Sequence, residues 1–171
     1  MWPSIVVVPP RRVQTPLQVG RASGRGLDGA VMVRHGADIL PGCRTMEHKQ
    51  TLVLRKDLNM RKGKMVAQGA HASLRAILQL GHRQQEGFVI PLDERLEPWL
   101  LGRFKKICVS VNSEAELLSV HEAARAAGLI TALIQDAGLT EFGGVPTYTA
   151  LAVGPDREDR VDAVTDTLPL L

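Results

Sequence analysis

The segment from Arg55 to His71 restricts most what this chain can fold into. A strand-like run, Thr51 to Leu54, enters a short polar turn and leaves it as an apolar-periodic segment with helical spacing. Arg55, Lys56, Arg61, Lys62 and Lys64 crowd that turn against one acid, Asp57. Their charge adds to the unpaired N–H groups and positive dipole end of the following helix, which favours an anion there. The Gly-x4-Gly-Lys-Ser/Thr spacing of a P-loop is absent. On a helix starting near Gly63, the residues Lys64, Gln68, His71 and Arg75 form one polar stripe. Val66, Ala70, Leu74, Ile77 and Leu78 occupy another face, expected to bury against a sheet. A solvated basic turn would read the same way taken alone; the polar stripe beside it favours a site.

Charge is distributed unevenly behind the net +3. Residues 1–45 carry six Arg and two Asp, and residues 46–64 carry six cations and two acids, so each stretch is net +4 and −5 remains for 65–171. A local positive potential steers a polyanion to one face rather than coating the protein. The 171 residues fit one domain with a real core, built from aliphatic side chains because aromatics are only 4%. Cys43 and Cys108 have no metal-site spacing, and Cys108 sits in an apolar run, so a reduced, cytoplasmic setting is the simplest reading. No segment reaches the length of a membrane span. Ile5 to Val8 is too short for a signal-peptide apolar region and ends at prolines.

Residues 1–45 hold five prolines, many glycines and no sustained period, and are expected to form a disordered tail. Arg-rich and acid-poor, the tail also fits a transit peptide; sequence upstream of a true start at Met46 is preferred. The folded domain is therefore expected over 46–171. Strands are expected at Lys49 to Lys56, Lys106 to Val111, Leu129 to Gln135 and Thr147 to Val153. Helices are expected over 63–80, after the capping pair Ser113 and Glu116, and from Gly154-Pro155-Asp156 onward. Residues 81–103 read as an irregular connection in which Leu92, Leu96 and Trp99 make one amphipathic turn. The order β-α-β-α-β-β-α gives an α/β fold: a single small domain whose mixed four-stranded sheet is flanked by helices. Its two βαβ units imply parallel neighbours with right-handed crossovers, and a short antiparallel third-to-fourth connection follows. Strand carboxyl ends gather sites in such sheets, so the basic turn and the loop Asp136–Thr140 are expected on one rim.

That rim would collect Lys64, His71, Asp136, Thr140, Thr147 and Thr149. Neither a zinc-type Cys/His cluster nor a Gly-x-Ser-x-Gly elbow is present. What remains suits acid–base work on a water, with hydroxyls to orient it and a cation to hold a charged oxygen. Each residue also has an ordinary structural role open to it. His71 could be a satisfied helix histidine, Asp136 a turn former, and Thr147 and Thr149 plain strand residues.

Four ordered motifs narrow these alternatives: Leu54-Arg-Lys-Asp-Leu-Asn-Met-Arg-Lys-Gly-Lys64, Gln68-Gly-Ala-His-Ala72, Ile134-Gln-Asp-Ala-Gly-Leu-Thr140 and Thr147-Tyr-Thr-Ala-Leu-Ala-Val-Gly-Pro155. Over about residues 49–171 the chain resembles the second type of peptidyl-tRNA hydrolase, the archaeal and eukaryotic kind that some bacteria also carry. The resemblance implies hydrolysis of the ester joining a peptide to the terminal ribose of tRNA, with no metal and no cofactor. It implies catalytic parts for Lys64, His71, Asp136, Thr140 and Thr149, and substrate contacts from Arg61, Lys62, Gln68 and Thr147. Peptidyl-tRNA is the implied partner and no membrane is involved; monomer and homodimer both stay open. Glu141 stands where the family usually has Gln, the loop from Asp136 to Thr149 is about one residue longer, and 81–103 is longer than usual. The alternative function is a non-catalytic RNA- or protein-binding domain on the same scaffold, for which the cations alone would suffice.

Overall fold

The computed structural model describes residues 5–8, 47–85 and 87–171. Of the expected tail, only Ile5–Val8 (β1) falls among them, as a strand paired in parallel with Gly87–Pro91 (β4). The remainder of that expectation, with Met46 as the start, lies outside the described residues.

Four strands build the main sheet: His48–Arg55 (β2), Lys105–Val111 (β5), Thr131–Asp136 (β6) and Thr147–Arg157 (β7). Their order is β5-β2-β7-β6. β2 runs parallel to β5, and β7 is antiparallel to both β2 and β6. The sheet is mixed, as expected. Only the first βαβ unit joins neighbours, however, because β7 inserts between β2 and β6. The helix Glu114–Ala126 (α3) therefore carries the chain across two strands.

Both faces of the sheet are covered, so its central strands are apolar on each side rather than alternating. On one face Val53, Val109, Val111, Leu151 and Val153 pack with Leu117 and Ala124 of α3 and Val161 of Glu158–Thr165 (α4). On the other, Leu52, Leu54, Ala132, Ala150 and Ala152 meet Ala72 and Ala76 of Lys62–Leu78 (α1). Each fully buried Val or Leu contributes about 1.5–3 kcal/mol relative to exposure. The small residues on both sides of the second interface let α1 lie close to the sheet. That choice reverses the expected face of α1. Gln68, Gly69, Ala72 and Ala76 point inward, while Val66, at 73% exposed, Ala70 and Leu74 face out. Ile77 and Leu78 are half-buried and pack instead against the cluster of Ile90, Leu92, Leu96 and Trp99.

Residues 81–103 are more ordered than expected. His82–Gln84 (β3) and β4 form a hairpin, and Leu96–Leu100 (α2) follows. Leu92, Leu96 and Trp99 bury together, as their spacing predicted. The cap of α3 also holds: Glu116 N–H donates to Ser113 Oγ at 3.1 Å, though the Glu116 carboxylate accepts from Asn112 N–H rather than from Ser113. β7 continues through Pro155 to Arg157, so α4 starts at Glu158, later than the Gly-Pro-Asp signal suggested. β5 is an edge strand and Cys108 on it is exposed. Backbone bonds from Ser110 to Pro169 and from Leu171 to Cys108 cover that edge. Among the described residues no helix is long and apolar enough to cross a membrane.

Candidate functional site

β2 and β6 point the same way and β7 points back, so the end of β2, the end of β6 and the start of β7 share one rim. Asp136 closes β6 there. Its Oδ2 accepts from Lys64 Nζ at 2.6 Å and from Gln68 Nε2 at 2.8 Å. Its Oδ1 accepts the Gly138 N–H at 2.8 Å, so Asp136 also makes the turn that its position before Ala-Gly suggested. Gly138 has φ +80°, and a Cβ there would lie 2.2 Å from Val145 O. Only glycine lets the loop fold so tightly beneath the carboxylate. Lys64, foremost, with the Gly138 and Gln68 donors, holds the Asp136 carboxyl below the usual range although partial burial opposes this.

Lys64 reaches from the first turn of α1. Besides Asp136 it donates to Thr140 Oγ1 at 3.1 Å and lies 5.5 Å from the centre of the Phe142 ring. An ammonium has three donors. Two are engaged by Asp136 and Thr140, leaving one for a further acceptor.

Thr149 sits under this pair. The β6–β7 register shifts between Ile134, opposite Ala150, and Gln135, opposite Tyr148, so Thr149 is the extra residue of a β-bulge. In a regular strand Thr149 would share the face of Leu151 and Val153; the bulge turns it towards α1 instead. Its hydroxyl donates to Gln68 Oε1 at 2.7 Å. Thr149 and Gln68 are 0% and 1% exposed, so both position Asp136 from beneath. Gln68 links Thr149 to Asp136 and also borders a groove that runs on past His71. The polar stripe on α1 is thus half-buried, because Gln68 finds partners inside.

The other expected residues lie outside this network. His71, one turn beyond Gln68, is exposed, has no hydrogen bond among the described residues, and lines a groove that begins at Asp136. Thr147 Oγ1 donates to Val145 O at 2.9 Å and steadies the loop. Lys62 is exposed at the start of α1, whose first turn has neither an acid nor a side-chain cap. Arg61 is 79% exposed at its side chain yet paired: its Nε donates to Glu141 Oε1 at 2.7 Å and its N–H to Oε2 at 3.3 Å. That bond keeps the Glu141 carboxyl below its ordinary value. Arg55 turns inward. At 8% exposed, it grips Asp57 and Glu114 and donates to Tyr148 O at 3.1 Å. Of the five cations in the turn, Arg55, Arg61 and Lys64 therefore have acidic partners, and Lys56 and Lys62 present charge outward.

Sequence reasoning did not place the Phe142 ring against Lys64, nor Arg55 as the brace between β2 and the start of α3. An arginine as the last residue of a central, buried strand was the available signal for the second. Among the described residues no three His, Cys, Asp or Glu side chains gather as a metal-binding group.

The family model for Peptidyl-tRNA hydrolase PTH2 matches residues 48–171. A peptidyl-tRNA hydrolase of Methanocaldococcus jannaschii is 40% identical over 123 residues, covering 72% of this chain and 99% of its own. One from Methanopyrus kandleri is 43% identical over 124 residues, covering 72% and 98%. One from Thermococcus onnurineus is 41% identical over 126 residues, again covering 72% and 98%.

Proposed function

Since the chain belongs to the peptidyl-tRNA hydrolase PTH2 family, we propose that the rim around Lys64 and Asp136 is where it cleaves its substrate. The chain is an enzyme that hydrolyses the ester bond of peptidyl-tRNA, freeing the peptide and the tRNA. The observation that carries the placement is the 2.6 Å Lys64–Asp136 contact, made across 72 residues and backed from below by Gln68 and Thr149. A domain that only bound RNA would need the cations without this buried support.

Water adds to the ester carbonyl, the carbonyl oxygen gains negative charge, and the ribose oxygen leaves with a proton. The free N–H of Lys64 faces the developing oxyanion, with the Thr140 hydroxyl beside it; one such donor is worth about 10²–10³ in rate. A carboxylate held below its usual pKa is a weak base. Asp136 therefore orients: it anchors Lys64 and accepts a hydrogen bond from the attacking water. His71 stands exposed on the groove, takes the water's proton and returns it to the leaving ribose oxygen. Gln68 and Thr149 hold Asp136, and Thr147 holds the loop. Lys62 and Arg61, at the open N-terminus of α1, meet phosphates of the tRNA acceptor end. Residues 46–171 form the catalytic domain, acting in the cytoplasm; a homodimer is tested by light scattering.

Release of peptide from labelled peptidyl-tRNA, with EDTA present, tests the function. Multiple turnovers in EDTA are expected. Release no faster than in buffer would refute the reading, and loss of release in EDTA would refute its metal-free chemistry.

A further inference from the structure

Beyond Asp136 a groove of about 380 Å³ follows the outer face of α1. Gln68 and His71 stand at its near end, and Arg75 at its side. Leu74, Leu78 and Ile134 make its walls apolar. Leu74 is 56% exposed and belongs to none of the three core clusters, so the fold itself does not use it.

The order of groups along α1 matches the order of groups along the substrate. Arg61 and Lys62 come first, then Lys64 and Gln68 at the reacting centre, then His71, Leu74, Arg75 and Leu78. At 1.5 Å per residue, Leu78 lies about 21 Å along the axis from Lys64, and about 10 Å from His71. Peptidyl-tRNA has phosphates on one side of its ester and peptide on the other. With phosphates at the helix N-terminus and the ester at Lys64 and Asp136, the acyl part leaves towards the helix C-terminus, along this groove. Ten ångströms hold about three extended residues.

Resting on the reading of the chain as a peptidyl-tRNA hydrolase, we infer that the groove between α1 and the end of β6 is an acyl subsite. It takes the last two or three residues of the peptide and favours apolar side chains through Leu74, Leu78 and Ile134. An apolar wall separates substrates by about tenfold at the lower end of what such pockets achieve. An open groove belongs at that lower end.

The test compares kcat/KM for N-acetyl-Leu-Leu and N-acetyl-Gly-Gly esters carried on one tRNA, using the full chain, Leu74→Ser and Leu78→Ser. Both variants are first checked for an intact unfolding transition and for binding of deacylated tRNA. The full chain is expected to prefer the leucyl ester by about tenfold, and Leu74→Ser to reduce that preference to within about threefold, with tRNA affinity unchanged. No preference in the full chain, or full preference in both variants, overturns the subsite. Weakened binding of deacylated tRNA by Leu74→Ser also overturns it, because the groove would then hold a nucleotide. Failure of the full chain on both esters removes the hydrolase reading itself, and the subsite with it.

Discussion

Replacing Thr149 by Val isolates the support beneath the reacting centre. The two side chains have nearly the same shape, so no cavity opens. The loss is one hydroxyl, 2.7 Å from Gln68 Oε1, at a site where both residues are buried. Gln68 Oε1 is then left without its donor, which costs about 1–3 kcal/mol. For a folded unit of this size the melting temperature falls by about 4–12 °C. Activity should fall as well, for a separate reason. The Thr149 hydroxyl fixes which end of the Gln68 amide faces Asp136; released, the amide can turn its oxygen towards the carboxylate and repel it. Small misplacement of reacting groups costs one to two orders of magnitude in rate. We expect kcat to drop about tenfold with KM within twofold, since Thr149 is fully buried behind Gln68. Thr149→Ser should restore most of both losses. Thermal unfolding followed by circular dichroism and saturation kinetics on peptidyl-tRNA read the two effects separately. A lower melting temperature with kcat within twofold of the parent would make Thr149 a packing residue and refute the relay from Thr149 through Gln68 to Asp136.

Glu141→Gln removes an acid from the phosphate-facing end of α1 and frees Arg61. tRNA should bind several-fold tighter, with a salt dependence steeper by about one unit; an unchanged slope would put the RNA elsewhere. Asp57 and Asp136 are held below their ordinary pKa by Arg55 and Lys64 respectively. Their contribution to stability is complete above about pH 4 and is lost as pH falls through the lower folded values. Denaturant midpoints should thus stay level from about pH 7 to 5 and decline below about 4, and a decline setting in above about pH 5.5 would contradict this. A chain beginning at Met46 lacks β1 but keeps all four strands of the main sheet, so it should unfold cooperatively and match the full chain in kcat/KM within about threefold. Loss of the transition would give residues 1–45 a structural part.

The strand–turn–helix unit, the rim shared by β2 and β6, and the meeting of Lys64 with Asp136 were legible because topology and spacing decide them. The orientation of α1 was not. A pattern that separates polar from apolar residues assumes polar ones face water, whereas Gln68 is buried with two partners and Val66 and Leu74 are exposed. Small residues decided the packing, since Ala72 and Ala76 against Ala150 and Ala152 bring helix and sheet closer than leucines would. The direction of Thr149 was equally hidden, because a bulge in β7 sets it and no local residue type marks that bulge. The basic turn looked more cationic than it is because two of its partners come from afar: Glu114, which joins Asp57 on Arg55, and Glu141 on Arg61.

Turnover of Asp136→Asn tests most directly whether the Lys64–Asp136 pair carries the hydrolysis. All three groups bonded to the carboxylate are donors. An Asn has one acceptor oxygen, so its NH₂ must face a donor or leave it. Lys64 also loses its counter-charge, while the turn to Gly138 can survive. With the unfolding transition still present, kcat on peptidyl-tRNA should fall by about a hundredfold or more, the scale of lost positioning of reacting groups. A folded Asp136→Asn protein turning over within about threefold of the parent would remove the Lys64–Asp136 pair from the reaction.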